Sequence, residues 1–228
     1  MKTIIKHIFG NIDEYDLQVY KLSLDLEGAS ERDALEEGWG IQNGEWYSSR
    51  MVRLNLSKYT KEPKPIKEHS FTIADNTYPS EQIQRVFDDF VTARNFTPLY
   101  NISSDIDRVK WLLVHKGERL VAFTKFIIYD GGIESQFTAW DYAEPKLSLG
   151  IKIVDYEVEY AKSLGYDYLY IGPGYSKSCF YKSKFQGFEW WTGTEWSEDV
   201  QAYQDICNRD STINTLDDLS KLIWNKNA

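Results

Sequence analysis

From residue 133 to residue 172 the chain reads strand, polar loop, amphipathic helix, strand, and few folds accept that order. Ile133–Trp140 is the first strand, and a polar loop after it closes in Ser148-Leu149-Gly150. The helix over 149–164 carries apolar residues at Leu149, Ile153, Val154, Tyr156, Val158 and Ala161, with Gly165 as its stop. The second strand, Tyr168–Gly172, is almost continuously apolar and aromatic, the pattern of a strand buried on both faces and parallel to its neighbour. A helix whose amino end opens on a Gly-containing loop turns bare backbone N–H groups and its positive dipole end toward the solvent, which suits an anion.

The segments before this unit are of a different kind. Val109–His115, Arg119–Ile128 and Ile133–Trp140 are joined by the short turns Lys116-Gly117-Glu118 and Asp130-Gly131-Gly132, so they form an antiparallel meander. Upstream lies a helix capped by Ser80, with Ile83, Val86, Phe87, Phe90 and Val91 on one face. Nearer the N-terminus are strands at 3–5 and 16–24, a short helix at 31–37 capped by Ser30, and a hairpin signalled by Asn43-Gly44. Pro63 and Pro65 mark an extended linker. After Gly172 come a helix at 176–185, a closing strand and turn over 189–196, and helices at 200–207 and 216–224. The expected division is 1–68 as a strand and hairpin region, 69–200 as the core, and 201–228 as a helical tail.

Composition narrows the function. A chain of 228 residues with 42% hydrophobic and 15% aromatic content buries a real core. Its net charge of −9 opposes indiscriminate nucleic-acid binding without excluding a local basic stripe. Two such stripes are present. One runs through Arg50, Arg53, Lys58, Lys61, Lys64 and Lys67 with Trp46, Tyr47 and Tyr59 interleaved; the other is Lys177, Lys182 and Lys184. Basic and aromatic residues together suit a single-stranded RNA end, and lysine-rich edges also keep strands from aggregating. Cys179 and Cys207 are the only cysteines, too few for a zinc or iron–sulfur framework or a disulfide scaffold. No apolar run reaches membrane-spanning length, and Lys6 and His7 interrupt the N-terminal apolar patch, so a cytoplasmic protein is expected, with the sequons at Asn55, Asn95 and Asn101 unused.

Meander, crossover helix and parallel strand together resemble the GNAT superfamily, the acyl-CoA N-acyltransferase fold. The fold class expected is α+β, a mixed sheet whose two parallel strands splay at their carboxyl ends so that a donor's acyl group lies in the wedge. A narrower resemblance rests on Leu147-Ser148-Leu149-Gly150, on the run from Ala161 to Gly172, on Tyr181-Lys182-Ser183-Lys184-Phe185 followed by Glu189 and Trp196, and on Trp140-Asp141. These resemble the C-terminal region of arginyl-tRNA–protein transferases. Looser similarity extends back to Leu35–Trp39 and Val52-Arg53-Leu54. The chain departs from that family in three places. It has no cysteine cluster near Tyr47–Met51, it has Tyr142 where a proline is expected, and the loop Pro173-Gly174-Tyr175 is shortened.

The resemblance implies an aminoacyltransferase that takes an amino acid from the acceptor end of an aminoacyl-tRNA to the amine of a protein or small acceptor, with no cofactor and no metal. An acyl-CoA enzyme is the alternative, with coenzyme A thioester as donor. Its Gln/Arg-x-x-Gly-x-Gly/Ala signature falls on Pro145–Gly150, where only the last glycine fits. A binding module that kept the fold without the chemistry is the second alternative. An aminoacyl ester is already activated, so transfer needs orientation, a neutral amine and oxyanion stabilisation rather than a Ser/His/Asp triad. Backbone N–H groups on the 133–140 strand are expected to serve the oxyanion. His7, His69 and His115 lie scattered outside the core unit.

The candidate catalytic residues are Asp141, Tyr175 and Tyr181. Asp141 stands at the end of a central strand, as amine recogniser or base, or as a turn-forming aspartate. Tyr175 is a donor to the leaving ribose hydroxyl or a packed loop aromatic. Ser148, Leu149, Gly150, Lys177, Lys182 and Lys184 are the donor-binding candidates, Lys182 being a phosphate ligand or a solvated helix lysine. Glu134, Gln136 and Trp140 are candidates for aminoacyl or acceptor recognition, Glu134 otherwise being an exposed strand residue. Arg50, Arg53 and Lys58 are candidate RNA contacts.

Overall fold

The computed structural model describes residues 3–8, 18–23, 26, 28–42, 45–48, 50–75, 81–94, 102, 108–143, 147–174 and 177–210. In chain order the elements are β1 (Thr3–Ile8), β2 (Gln18–Ser23), α1 (Glu31–Glu36), β3 (Trp39–Gln42), β4 (Glu45–Ser48), β5 (Met51–Asn55), β6 (His69–Ala74), α2 (Glu81–Ala93), β7 (Val109–Lys116), β8 (Arg119–Tyr129), β9 (Gly132–Trp140), α3 (Leu149–Ser163), β10 (Tyr168–Pro173), β11 (Phe188–Trp191), β12 (Trp196–Ser197) and α4 (Val200–Asp210). They form two compact units, one from 54–172 and one from 1–53 with 173–228.

In the 54–172 unit the strand order is β10-β9-β8-β7-β6. The meander is antiparallel throughout, and β10 joins β9 in parallel, as the crossover requires. Pleating sends alternate side chains to opposite faces. Phe123 meets α2 in a core with Ile83, Val86, Phe87, Trp111, Leu120 and Ala139. Thr124 and Phe126 turn the other way and meet Glu157 and Tyr160 of α3. The two helices therefore cover opposite faces of one sheet. α3 stops where expected: Gly165 adopts φ +78°, a conformation that costs an L side chain energy, and Tyr166 N–H bonds back to the Ala161 carbonyl at 3.3 Å.

One strand of this sheet went unanticipated. Residues 69–74 pair with β7 as β6, but their burial alternates only weakly and Ile73 stays 39% exposed. An edge strand buries too little apolar surface to announce itself by periodicity. Cross-sheet support comes from Phe71, whose ring stacks on Tyr156 of α3 at 3.5 Å.

In the other unit, β1, β2, β4 and β3 form one antiparallel sheet. Gln42 lies opposite Glu45, bracketing the expected Asn43-Gly44 turn, which itself lies outside the described residues. Ser30 caps α1 as expected, accepting from Asp33 N–H at 3.0 Å while Asp33 accepts from Ser30 N–H at 3.3 Å. Strands β12, β11 and β5 lie side by side. The helix expected at 176–185 is instead a 3-10 helix over Lys177–Lys184. The segments carrying the expected Ser80 cap and the helix at 216–224 lie outside the described residues.

Candidate active site

The parallel pair is zipped only at its start. Leu169 pairs with Ile133 and Tyr170 with Glu134, and no β10 residue pairs with β9 beyond that. A bulge falls immediately afterwards. On β8 Lys125 and Phe126 are consecutive, whereas their β9 partners Phe137 and Ser135 are separated by Gln136. The extra residue bends the strand and re-aims its backbone, as bulges do beside active sites. The sheet thus opens a wedge next to the strand on which oxyanion donors were expected, and Gln136 marks its apex.

At the end of the same sheet three basic side chains stand in a row. His69 of β6 is opposite Lys116 of β7, and Lys116 is opposite Arg119 of β8. The tight turn at Gly117, with φ +60°, sets the last two side by side. These three, with Val121, Asp141, Ala143, Leu147 and Leu149, line a cavity of about 250 Å³. Like charges directly across a strand pair cost stability, so such a row calls for an anion. Asp141 supplies one: its Oδ2 accepts from Arg119 Nη2 at 2.6 Å, and its Oδ1 accepts from Ala143 N–H at 2.7 Å. His69 Nδ1 lies 2.7 Å from the Lys67 carbonyl, which can only accept, so Nδ1 carries the proton.

The amino end of α3 borders this cavity. Ser148 sits in the left-handed region at φ 53°, ψ 45°, and its side chain makes no capping bond. Ile151 and Lys152 N–H both reach the Ser148 carbonyl, whereas the amides of Leu149 and Gly150 have no acceptor among the described residues. Leu149 is buried and lines the cavity. Gly150 is covered on one side by Trp140: a Cβ there would stand 2.5 Å from Cζ3 of the indole. Trp140 belongs to an aromatic group with Phe90 and Tyr142, at centroid distances of 4.8 and 5.8 Å. Within it the buried Tyr142 hydroxyl has no hydrogen-bond partner among the described residues.

Not every candidate gathers here. Asp141, Ser148, Leu149, Gly150 and Trp140 share this end of the 54–172 unit, whereas Gln136 stands at the bulge midway along β9. Glu134 does not serve the wedge as an exposed carboxylate; it is 1% exposed and accepts from the Tyr129 hydroxyl at 2.5 Å. Lys58 is exposed on a 3-10 turn of the same unit. Lys177, Tyr181, Lys182, Lys184, Arg50 and Arg53 belong to the other unit. Lys182 is neither a solvated lysine nor an open phosphate ligand: it is buried and donates to the Pro173 carbonyl at 2.7 Å. Arg53 is likewise buried, donating to Glu189 at 2.7 Å and Glu36 at 2.9 Å, with its guanidinium 4.1 Å from the Trp196 ring centroid. Buried and held by two carboxylates, it is not a surface for RNA. Arg50 is half-buried beside Cys207, and Tyr181 is exposed with its ring against Phe185. Tyr175 lies outside the described residues.

Sequence reasoning missed His69, Lys116 and Arg119. The two hairpin residues read as turn polarity, and His69 stands far from them along the chain. Only the β6–β7 register makes it their neighbour.

Among known proteins, 88 residues are 30% identical to a protein of Acinetobacter baumannii named aspartate/glutamate leucyltransferase, covering 38% of this chain and 32% of that one. The Acinetobacter baylyi protein of the same name is 31% identical over 88 residues, with the same coverage. The matched stretch thus spans about a third of the length of these relatives. Among solved structures, L-PGS from Bacillus licheniformis aligns at TM-score 0.45 and 15% identity over 55% of this chain and 45% of that one. A GCN5-related N-acetyltransferase from Kribbella flavida aligns at TM-score 0.41 and 16% identity, over 61% and 52%. Residues 67–192, more than half of the chain, match the family described as arginine-tRNA-protein transferase, C terminus, and it is to this family that the chain belongs.

Proposed function

We propose that the protein moves an amino acid from an aminoacyl-tRNA to the amine of a protein N-terminus or a small acceptor. The observation that carries this reading is the wedge between β9 and β10, open from residue 135 onward and flanked by the Gln136 bulge. The aminoacyl ester lies in that wedge, where backbone N–H groups of β9 face the developing oxyanion. The cavity at the start of α3 seats phosphate of the RNA acceptor end. Lys116 and Arg119 supply charge, the Leu149 and Gly150 amides supply donors, and Asp141 orients Arg119 rather than acting as base. Lys58, exposed on the same unit, adds positive charge for RNA. The ester needs no cofactor. Among the described residues no helix is long and apolar enough to cross a membrane, and a tRNA-dependent reaction belongs in the cytoplasm.

A coenzyme A donor is the competing reading, and the single glycine of the 145–150 loop offers its pyrophosphate little close backbone. The family and the relatives name arginyl and leucyl groups, so the test uses arginyl-tRNA and leucyl-tRNA labelled in the aminoacyl group, with peptides bearing Asp, Glu or other N-terminal residues. Label appearing in a peptide is the expected result. No transfer from either RNA, together with acetyl transfer from acetyl-CoA, overturns it.

A further inference from the structure

Glu157 is a buried carboxylate that the donor site leaves unused. It lies midway along α3 and is 1% exposed. Its Oε1 accepts from Thr124 Oγ1 at 2.6 Å and from Thr138 Oγ1 at 3.3 Å, and the two hydroxyl oxygens are 3.0 Å apart. Thr124 and Thr138 are cross-strand partners on β8 and β9. Thr124 is fully buried, whereas Thr138 is half-buried. Thr138 also stands on the stretch of β9 that β10 leaves unzipped, two residues past the bulge at Gln136.

Hydroxyl accounting gives this cluster a direction. The Glu157 oxygen accepts both bonds, and each threonine has one proton to give and two lone pairs. Thr124 gives its proton to Glu157. Thr138 gives its proton to Glu157 or to Thr124. Either way, the Thr138 oxygen retains acceptor capacity with no proton left to donate. A group reaching it from the wedge must bring its own hydrogen. Phosphate, carboxylate and ester oxygens have none; an ammonium has three.

We propose that Thr138, backed by Thr124 and Glu157, binds the acceptor's ammonium group and drains one proton from it. The chemical step rests on the transferase reading above; the ammonium site does not. The ammonium gives a proton to Thr138 Oγ1 as Thr138 passes its own to Glu157, leaving a neutral amine and a neutral carboxyl. The amine lone pair then attacks the ester carbonyl carbon. The C–N bond forms, the bond from that carbon to the ribose oxygen breaks, and a nitrogen proton ends on the ribose hydroxyl. Glu157 afterwards returns its proton to water. Thr138 touches the substrate; Glu157 and Thr124 are positioning residues that act through it.

The test has two arms. In the first, threonine methyl NMR of the full chain follows titration with a short peptide amide carrying a free N-terminal ammonium, and with its N-acetylated counterpart. The free amine should shift the Thr138 methyl and bind about tenfold more weakly to Glu157→Gln and Thr138→Val, with Thr138→Ser restoring it. Equal response to both peptides, or none at Thr138, overturns the proposal whatever the donor proves to be. In the second, single-turnover transfer is measured from pH 6 to 9 with whichever donor is active. Glu157→Gln should lower the rate roughly 100-fold or more and flatten its rise with pH, without changing donor KM or thermal stability. A variant with the wild-type rate and profile overturns the proton-acceptor role. Ammonium binding with no transfer from any RNA would instead count against the transferase reading alone.

Discussion

At the scale of single residues, the candidate site mixes satisfied and unsatisfied polar groups. Asp141 shows how a strand-end carboxylate can read as a base in the sequence yet act as a brace. Both its oxygens are engaged, one by the Ala143 amide and one by Arg119. Glu134, Lys182 and Arg53 were equally illegible, because nothing in a local pattern tells a buried ion or hydrogen-bonded charge from an exposed one. The Tyr142 hydroxyl is the opposite case, buried with no partner among the described residues. An orphan hydroxyl costs stability that a phenyl ring does not, so Tyr142→Phe should leave the fold unchanged or stabilise it by about 1 kcal/mol. Chemical denaturation checks this, and a loss of more than that amount would mean that the hydroxyl has a partner.

At the scale of elements, the meander, α2, α3 and β10 were readable because their apolar periods are local and their turns carry glycine. The splay of β9 from β10 was an expectation of the fold resemblance, and the register bears it out. Two things were not readable. β6 is an edge strand with little buried surface, and the row His69, Lys116, Arg119 exists only through the pairing of three strands. The first turn of α3 also differs from a bare anion cradle, since Trp140 packs on Gly150. Gly150→Ala should therefore displace the indole and destabilise the unit by about 1–3 kcal/mol, besides weakening donor binding. In a double-mutant cycle, Trp140→Leu should recover much of that loss, and strictly additive effects would show that the two do not touch.

At the scale of the molecule, pH reports on a charge held inside the 54–172 core. Lys125 on β8 is fully buried, and burial brings its pKa from 10.5 down to about 8. Between those values the unfolded chain binds a proton that the folded chain has released, so stability gains with rising pH. The stability of wild type relative to Lys125→Met should accordingly increase from pH 8 to pH 10, followed by urea unfolding; a flat difference would mean that the amine titrates normally. Which donor the whole chain uses is the deeper question, and the proposal of an RNA donor is the one to test. The most direct measurement is equilibrium binding of an aminoacylated acceptor-stem RNA and of coenzyme A, as a function of salt, to wild type and Arg119→Ala. RNA binding should be salt-sensitive, with a log–log slope that loses about one phosphate contact in Arg119→Ala, and coenzyme A should bind far more weakly. Micromolar coenzyme A binding, with RNA binding absent or indifferent to Arg119, would contradict it.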